Sequence, residues 1–487
     1  METRALDSYK IEVKSIPIQV HIYTQQGQPV PFYYLSVLNI SKETKSIIER
    51  IREDIITGLS FELTKKKEKR DEEKEIKEHF RKKLKETIKS QFSGIDEKTD
   101  EIITNYVLIT SLGLAEIEFM LKDPNLEEVV VNGAKRPVWV YHKEYGWLKT
   151  NISFDDEKKI RHFSTLIGRQ VDKGISILDP LLDAHLESGD RVNATLSPIT
   201  TDGNTLTIRK FAKTPWTITK FLQNGTIDYS SAALLWQAMQ YELSVIIAGG
   251  TGSGKTSFLN VASNFLPPNQ RIISIEDTRE LKLPKTLHWV PMQSRLPNPE
   301  GKGEITMLDC MINTLRMRPD RIIVGEIRRE KEIEVMFEAM HTGHSVYSTF
   351  HASNVEEAIA RLTNPPINLP KQLLSSVGLI VVQHRNRQTG IRKTFQIAEI
   401  MKDGSPNLLL QYDLMNDRME QSNPPTRMIN MLKLYTGMSQ DQIYNDLQEK
   451  ITVLRWLVKN EVTDINKIGM IMSDYYTEKD ALLSRTG

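Results

Sequence analysis

The sequence lacks several features that would each place it in a special class of protein. Its 487 residues include a single cysteine, Cys310, which excludes an internal disulfide framework and any multi-cysteine zinc site. No apolar run approaches the ~20 residues that a bilayer span needs, and the N-terminus lacks the apolar core of a signal peptide. We therefore expect a soluble, intracellular protein with Cys310 as a buried core thiol. Membrane contact would go through a partner or a surface patch.

The chain also lacks an excess of either charge. Its 64 Lys and Arg residues against 63 Asp and Glu residues give a net charge of +1, so overall charge offers no support for nucleic-acid binding. Charge is concentrated in residues 65–91, where both signs alternate at helical spacing. This pattern predicts a solvated helix face, and the alternative is a docking surface for an acidic partner or lipid headgroups.

What the sequence does contain is a phosphate-binding loop. The apolar run from Leu243 to Ala248 predicts a buried strand, and residues 255–262 predict a helix. Between them, Gly249, Gly254 and the pair Lys255-Thr256 fill the pattern G-x-x-x-x-G-K-S/T in its required strand–loop–helix context. The segment therefore predicts a nucleotide-binding protein.

Each residue type in this loop has a physical role. Glycines leave room for several backbone N–H groups to converge on a phosphate, and the helix N-terminus adds donors and partial positive charge. Lys255 supplies a mobile cation for the terminal phosphates of ATP, and the Thr256 hydroxyl supplies a ligand for Mg²⁺. The predicted nucleotide-binding residues are Gly249, Gly250, Thr251, Gly252, Ser253, Gly254, Lys255, Thr256 and Ser257.

Two later apolar strands each end in carboxylates. Residues 271–275 precede Glu276 and Asp277, and residues 321–325 precede Glu326. Strands that alternate with helices predict a mostly parallel sheet with its ligands at the C-terminal edge, so both acidic ends should face the phosphates. One carboxylate can hold Mg²⁺, usually through water, and another can orient or deprotonate the attacking water.

Two histidines flank the next predicted strand. His344 precedes it and His351 follows it. We expect a phosphate-sensing or water-positioning role for both. Metal binding is less favoured because no third ligand occurs at a suitable spacing.

These motifs form four ordered boxes, at residues 249–256, 275–281, 318–328 and 342–352. In this order they resemble the secretion and type IV pilus ATPase family, over roughly residues 120–400. The sequences of residues 316–321 and 362–366 most resemble those of the archaeal branch, which includes the archaellum motor. Many bacterial secretion members carry a four-cysteine zinc module that this chain cannot form, which argues against the bacterial type II branch.

The resemblance implies roles for named residues. The second box is the aspartate box and gives Glu276 the catalytic carboxylate role, while the third is the Walker B box and places Glu326 on the Mg²⁺ side. Family members supply arginines to the γ-phosphate from the preceding domain, and Arg191 and Arg209 fit that position. Four core arginines could instead face a neighbouring subunit: Arg316, Arg318, Arg328 and Arg329.

The expected fold class is α/β, with a RecA-like P-loop ATPase core, a preceding mixed α/β domain and a β-rich, charged N-terminal region. The expected boundaries are 1–100 for the N-terminal region, 101–212 for the mixed domain, 213–232 for a hinge linker, 233–415 for the core and 416–487 for a helical end. The helical end is expected to cap the core or contact neighbouring subunits.

The implied function is that of a hexameric motor that hydrolyses ATP with Mg²⁺ and powers an archaeal pilus, archaellum or secretion machine. Its expected partner is a polytopic membrane platform protein, at the cytoplasmic face of the cell membrane, with only peripheral membrane contact and no nucleic acid. Two alternatives stay open. One is a nucleic-acid translocase on a similar core, and the other is a nucleotide-gated scaffold with little turnover.

Overall fold

The computed structural model describes residues 3–37, 70–91, 96–186, 188–211, 214–297 and 301–486. The chain divides into two compact units, Met1–Phe211 and Ala212–Gly487. In the described residues each unit is built around a nine-stranded sheet. The helical pattern after residue 41 and the start of the predicted charged stretch, residues 65–69, lie outside the described residues.

The first unit is a mixed sheet covered by helices. Its strands are β1 Thr3–Val13, β2 Ile16–Gln25, β3 Phe32–Val37, β4 Leu126–Asn132, β5 Pro137–His142, β6 Gly146–Ser153, β7 Leu181–His185, β8 Arg191–Thr195 and β9 Thr205–Arg209. Its helices are α1 Arg70–Gln91, α2 Glu97–Leu112, α3 Glu116–Lys122 and α4 Glu157–Gln170. The sheet order is β1-β2-β3-β6-β5-β4-β9-β8-β7. Alternating apolar residues, such as Ile16, Ile18 and Val20 of β2, are fully buried on one face.

This sheet joins two segments that we expected to be separate regions. Strand β3 pairs with β6 in parallel, with Tyr33 opposite Thr150. The buried carboxylate of Asp123 also accepts hydrogen bonds from Tyr9 Oη at 2.6 Å and Tyr33 Oη at 2.8 Å. The described parts of residues 1–100 and 101–211 therefore form one compact unit. Pairing between residues more than a hundred positions apart leaves no local pattern in the sequence.

The second unit contains the predicted parallel sheet. Its strands are β10 Val245–Gly249, β11 Arg271–Glu276, β12 His288–Gln293, β13 Arg321–Val324, β14 Ser345–Phe350, β15 Leu379–Arg385, β16 Arg392–Ile400, β17 Pro406–Asp413 and β18 Arg418–Gln421. The order is β12-β11-β13-β14-β10-β15-β16-β17-β18. In this order the first six strands, which end with β15, run parallel to one another. The last three strands, β16, β17 and β18, are added antiparallel. This arrangement confirms the predicted α/β fold with a RecA-like core.

Helices surround this sheet. They are α5 Ile218–Gln223, α6 Tyr229–Gln240, α7 Lys255–Ala262, α8 Met307–Thr314, α9 Glu330–His341, α10 Val355–Thr363, α11 Arg427–Thr436, α12 Gln440–Lys459, α13 Ile465–Thr477 and α14 Lys479–Thr486. Cys310 of α8 is buried, as predicted, and burial raises the pKa of its thiol. Within the described ranges no single helix is long and apolar enough to cross a membrane, and one pair passes that test only when joined, α2 with α3 at a bend of 108°.

Residues 213–232 differ from the predicted hinge. Their described part holds α5 and the start of α6, and Ile218 and Phe221 are buried in the core of the second unit. The polar residues that are typical of a linker act here as turn and cap residues. The Asp228 carboxylate accepts a hydrogen bond from the Ser231 backbone N–H at 2.6 Å and so caps α6.

The C-terminal helices complete the same core. Leu454 and Leu457 of α12 are buried in the cluster that also contains Trp236 of α6. The Gln237 amide donates a hydrogen bond to Asp446 at 2.8 Å, which links the two helices by a buried polar contact. Within this chain, residues 440–486 therefore pack on the nucleotide-binding core.

Candidate active site

The phosphate-binding loop lies at the C-terminal end of β10. Gly249, Gly252 and Gly254 all have positive φ, at 158°, 71° and 91°. A Cβ atom on Gly249 would lie 2.4 Å from Ser253 Oγ and 2.6 Å from the Gln383 carbonyl oxygen, so no side chain fits there. Gly254 precedes α7 in a left-handed conformation, without a side chain that caps the helix. The N–H groups at the start of α7 thus remain available to an anion.

Lys255 lies across this loop. Its side chain is largely buried, at 8% exposure, and Nζ donates a hydrogen bond to the Gly250 carbonyl at 3.0 Å. Burial lowers the pKa of Lys255, while the nearby Glu326 carboxylate opposes that shift and Arg328 adds to it. The predicted phosphate-binding cation therefore faces the predicted Walker B carboxylate.

Glu326 is the centre of a charged cluster. Its Oε1 lies 2.9 Å from Nε2 of His351, and its Oε2 accepts a hydrogen bond from Nε of Arg328 at 2.9 Å. Arg328 also lies 3.6 Å from Oδ2 of Asp277. Burial lowers the pKa of His351, Lys255 lowers it further, and Glu326 opposes both. Residues from β11, β13 and β14 thus meet at one edge of the sheet, as the sequence predicts.

Glu276 lies at the same edge but is enclosed. Its side chain is 2% exposed, and Oε1 accepts backbone hydrogen bonds from Glu280 at 2.8 Å and Leu281 at 3.0 Å. Oε2 is buried and has no hydrogen-bond partner among the residues that the structure describes. Burial raises the pKa of Glu276 from its ordinary value of 4.5 to about 7. Such a carboxyl can exchange a proton near neutral pH, which is what a general base requires.

The structure does not bring His344 to this cluster. His344 precedes β14, and its Nδ1 lies 3.2 Å from the Ala339 carbonyl oxygen and from Thr342 Oγ1. Its partner in the prediction, His351, follows the same strand of six residues. Because six residues of strand span roughly 20 Å, the two histidines lie at opposite edges of the parallel sheet. Within one chain His344 therefore lies away from the cluster around Glu326, and the role predicted for it stays a prediction.

Arg191 and Arg209 belong to the first unit. Arg191 begins β8, Arg209 ends β9, and the two are direct partners in the antiparallel register. Glu128 of β4 lies opposite Arg209 on the other side, and Arg209 opposes the rise that burial causes in the pKa of Glu128. The two arginines are thus neighbours, which their separation in sequence does not reveal.

The four core arginines do not form one cluster. Arg328 joins Glu326 in the cluster. Arg316 and Arg318 precede β13 and so lie towards the opposite edge of the sheet. The Arg329 backbone N–H donates to Glu332 at the start of α9.

Two arginines beside the phosphate loop escaped the sequence analysis. Arg392 Nε donates a hydrogen bond to the Gly252 carbonyl at 3.0 Å. Arg385 Nη1 would lie 2.9 Å from a Cβ atom on Gly252. Both come from the β15–β16 hairpin, far along the chain from the loop, and no motif marks them.

The donor set suits a Mg²⁺ ion that is held mostly by phosphate and water. Among the described residues no group of three His, Cys, Asp or Glu side chains is placed to hold a metal. Mg²⁺ at a phosphate site needs only one or two protein ligands. Thr256 in the first turn of α7 and Glu326, which follows β13, would supply that number.

A phosphate-binding loop after β10, the central strand of the nine-stranded sheet, with carboxylates at the same edge, defines the P-loop class with a RecA-like core. Residues 112–404 match the family model of the type II/IV secretion system protein, and the chain belongs to that family.

Its relatives include an uncharacterised protein of Methanocaldococcus jannaschii, MJ0900, at 33% identity over 89% of this chain and 79% of the relative. The type IV secretion system protein PtlH of Bordetella pertussis is 30% identical over 59% of this chain and 93% of its own length. Among solved structures, the VirB11 ATPase of the Brucella suis type IV secretion system is 25% identical, with a TM-score of 0.31 over 59% of this chain and 93% of that chain.

Proposed function

We propose that this chain is an ATP-hydrolysing motor that powers assembly of an archaeal type IV pilus-like filament, either a pilus or an archaellum, or a related secretion process. The observation that carries the proposal is the convergence of Lys255 with the Glu326, His351 and Arg328 cluster at the edge of the sheet that holds the phosphate loop. Family membership supports a secretion or pilus machine, and the three relatives from Methanocaldococcus jannaschii support the archaeal assignment.

In this proposal the loop and Lys255 bind the phosphates of ATP. Thr256 and Glu326 hold Mg²⁺, which neutralises charge on the phosphate oxygens when it is bound. Glu276 accepts the proton of the attacking water, a role that its raised pKa supports. His351 orients Glu326 through their 2.9 Å contact.

Arg191 and Arg209 are proposed to act on the γ-phosphate from the first unit. An arginine in that role can accelerate phosphoryl transfer by ~10³–10⁵. Their contact would require rigid-body closure, which is how hydrolysis becomes movement. The working form is proposed to be a ring of six subunits that contacts a polytopic membrane platform protein at the cytoplasmic face of the membrane.

The test compares the wild-type chain with Lys255→Ala and with Lys459→Ala, an exposed lysine at the end of α12 that serves as a control. We expect Mg²⁺-dependent phosphate release from the wild type and the control, with specific activity that rises with protein concentration as rings form. Lys255→Ala should bind ATP far more weakly and release no phosphate above background, because the phosphate loop loses its lysine.

Other outcomes would favour the alternatives. Tight ATP binding without turnover at any concentration would indicate the nucleotide-gated scaffold. Turnover that appears only with added nucleic acid would indicate the translocase. A monomer with constant specific activity would contradict the ring motor.

A further inference from the structure

The phosphate loop has two different sides. In the second sheet β10 lies between β14 and β15. The carboxylates and His351 follow β11, β13 and β14, which all lie on one side of β10. Arg385 and Arg392 belong to β15 and β16, on the other side. The loop is therefore flanked by the hydrolytic groups on one side and by an arginine hairpin on the other.

The hairpin holds its arginines directly against the loop. Arg385 ends β15, Arg392 begins β16, and the two are direct partners in the antiparallel register. Arg392 Nε donates to the Gly252 carbonyl at 3.0 Å, and its Cδ would lie 3.4 Å from a Cβ atom on Gly254. The side chains are partly exposed. They thus line the wall of the loop that faces away from Glu326.

We propose that Arg385 and Arg392 bind the nucleoside end of the nucleotide. The inference rests on the proposed function and concerns the part of ATP that the phosphate loop does not hold. If the terminal phosphates lie at Lys255 and Glu326, the rest of the nucleotide extends to the opposite side of β10, where the arginines are. The planar guanidinium groups stack on the purine, and their remaining N–H groups donate to the ribose.

The test measures binding of ATP, ADP and inorganic tripolyphosphate to the full chain by calorimetry. Tripolyphosphate has the phosphates but no nucleoside. We expect Arg385→Ala and Arg392→Ala to weaken ATP and ADP by about ten-fold each and to leave tripolyphosphate affinity within about two-fold of wild type. The lysine variants at both positions keep the charge but lose the planar face. They should therefore also weaken ATP binding more than tripolyphosphate binding.

Arg387→Ala is the matched control, because Arg387 is an exposed arginine in the turn of the same hairpin. It should bind all three ligands like wild type. Equal weakening of ATP and tripolyphosphate would show that the arginines only brace the loop, and unchanged ATP affinity would show that they do not touch the nucleotide. Either result would overturn the inference while leaving the proposed function standing. A wild-type chain that binds none of the three ligands would overturn both this inference and the proposed function.

Discussion

Each compact unit carries one pair of arginines that face each other across antiparallel strands, and the two pairs differ in their surroundings. In the first pair, Arg209 also has Glu128 as a cross-strand neighbour. The positive charge of Arg209 is therefore partly balanced within the sheet. The second pair ends a hairpin beside the phosphate loop, and Arg392 donates to that loop. The same local arrangement can therefore serve different tasks. We assign the first pair to turnover and the second to nucleotide affinity.

The largest expected effect comes from substitutions in the first pair, which test its assignment to turnover. Arg191→Ala and Arg209→Ala should each lower kcat on the order of 10³-fold, because an arginine at the γ-phosphate acts mainly in the transition state. ATP affinity should change little. The check is phosphate release at saturating ATP beside direct binding, with Arg136→Ala as the control, an exposed arginine of the same unit paired to Asp202 at 3.1 Å. Loss of binding without loss of kcat would reverse the assignment.

A smaller effect concerns Glu276, which belongs to the unit of the second pair but lies on the hydrolytic side of β10. Its pKa of about 7 in the folded protein is above the ordinary value of 4.5, so the folded state holds this proton more tightly than the unfolded state does. The resulting stabilisation is fully present below about pH 4.5 and is lost as the pH rises through 7.

Glu276→Gln mimics the protonated form at every pH. Relative to wild type, its free energy of unfolding should therefore rise by ~3 kcal/mol between pH 4.5 and pH 8, from the shift in pKa. Urea unfolding of the second unit at several pH values measures this, and Glu334→Gln on the exposed face of α9 is the control. A difference between variant and wild type that does not change with pH would show that Glu276 is ionised in the folded chain.

The smallest expected effect tests which of the two histidines belongs to the hydrolytic side of β10. His351→Asn should lower kcat about ten-fold, because it removes the ring that lies 2.9 Å from Glu326 and orients it. His344→Asn should leave kcat within about two-fold, because His344 lies at the other edge of the sheet. Equal losses in the two variants would mean that both histidines reach the site in the working ring.

The sequence predicts what is contiguous in the chain. The phosphate loop is predictable because strand, loop and helix follow one another from Val245 to Ala262, and Glu326 is predictable because it closely follows an apolar strand. The edge at which a residue lies follows from strand direction, so His351 was placed correctly. His344 lies at the opposite edge, because it precedes a parallel strand.

The rest depends on pairing between distant segments. Arg385 and Arg392 reach the loop only because β15 pairs with β10, and β16 pairs back on β15. The pairing of β3 with β6 likewise merges two regions that differ in composition. The burial that raises the pKa of Glu276 comes from packing around the strand end, and no residue next to it in sequence indicates this. Such features need the fold before they can be seen.

The most direct measurement determines kcat and the ATP dissociation constant side by side for wild type, Arg209→Ala and Arg392→Ala, each as the full chain. The account predicts that Arg209→Ala loses turnover and keeps affinity, while Arg392→Ala loses affinity and keeps most of its turnover at saturating ATP. The account is contradicted if both variants lose turnover, if both lose affinity, or if neither differs from wild type. Any of these results would mean that the two arginine pairs do not have separate roles in turnover and in nucleotide binding.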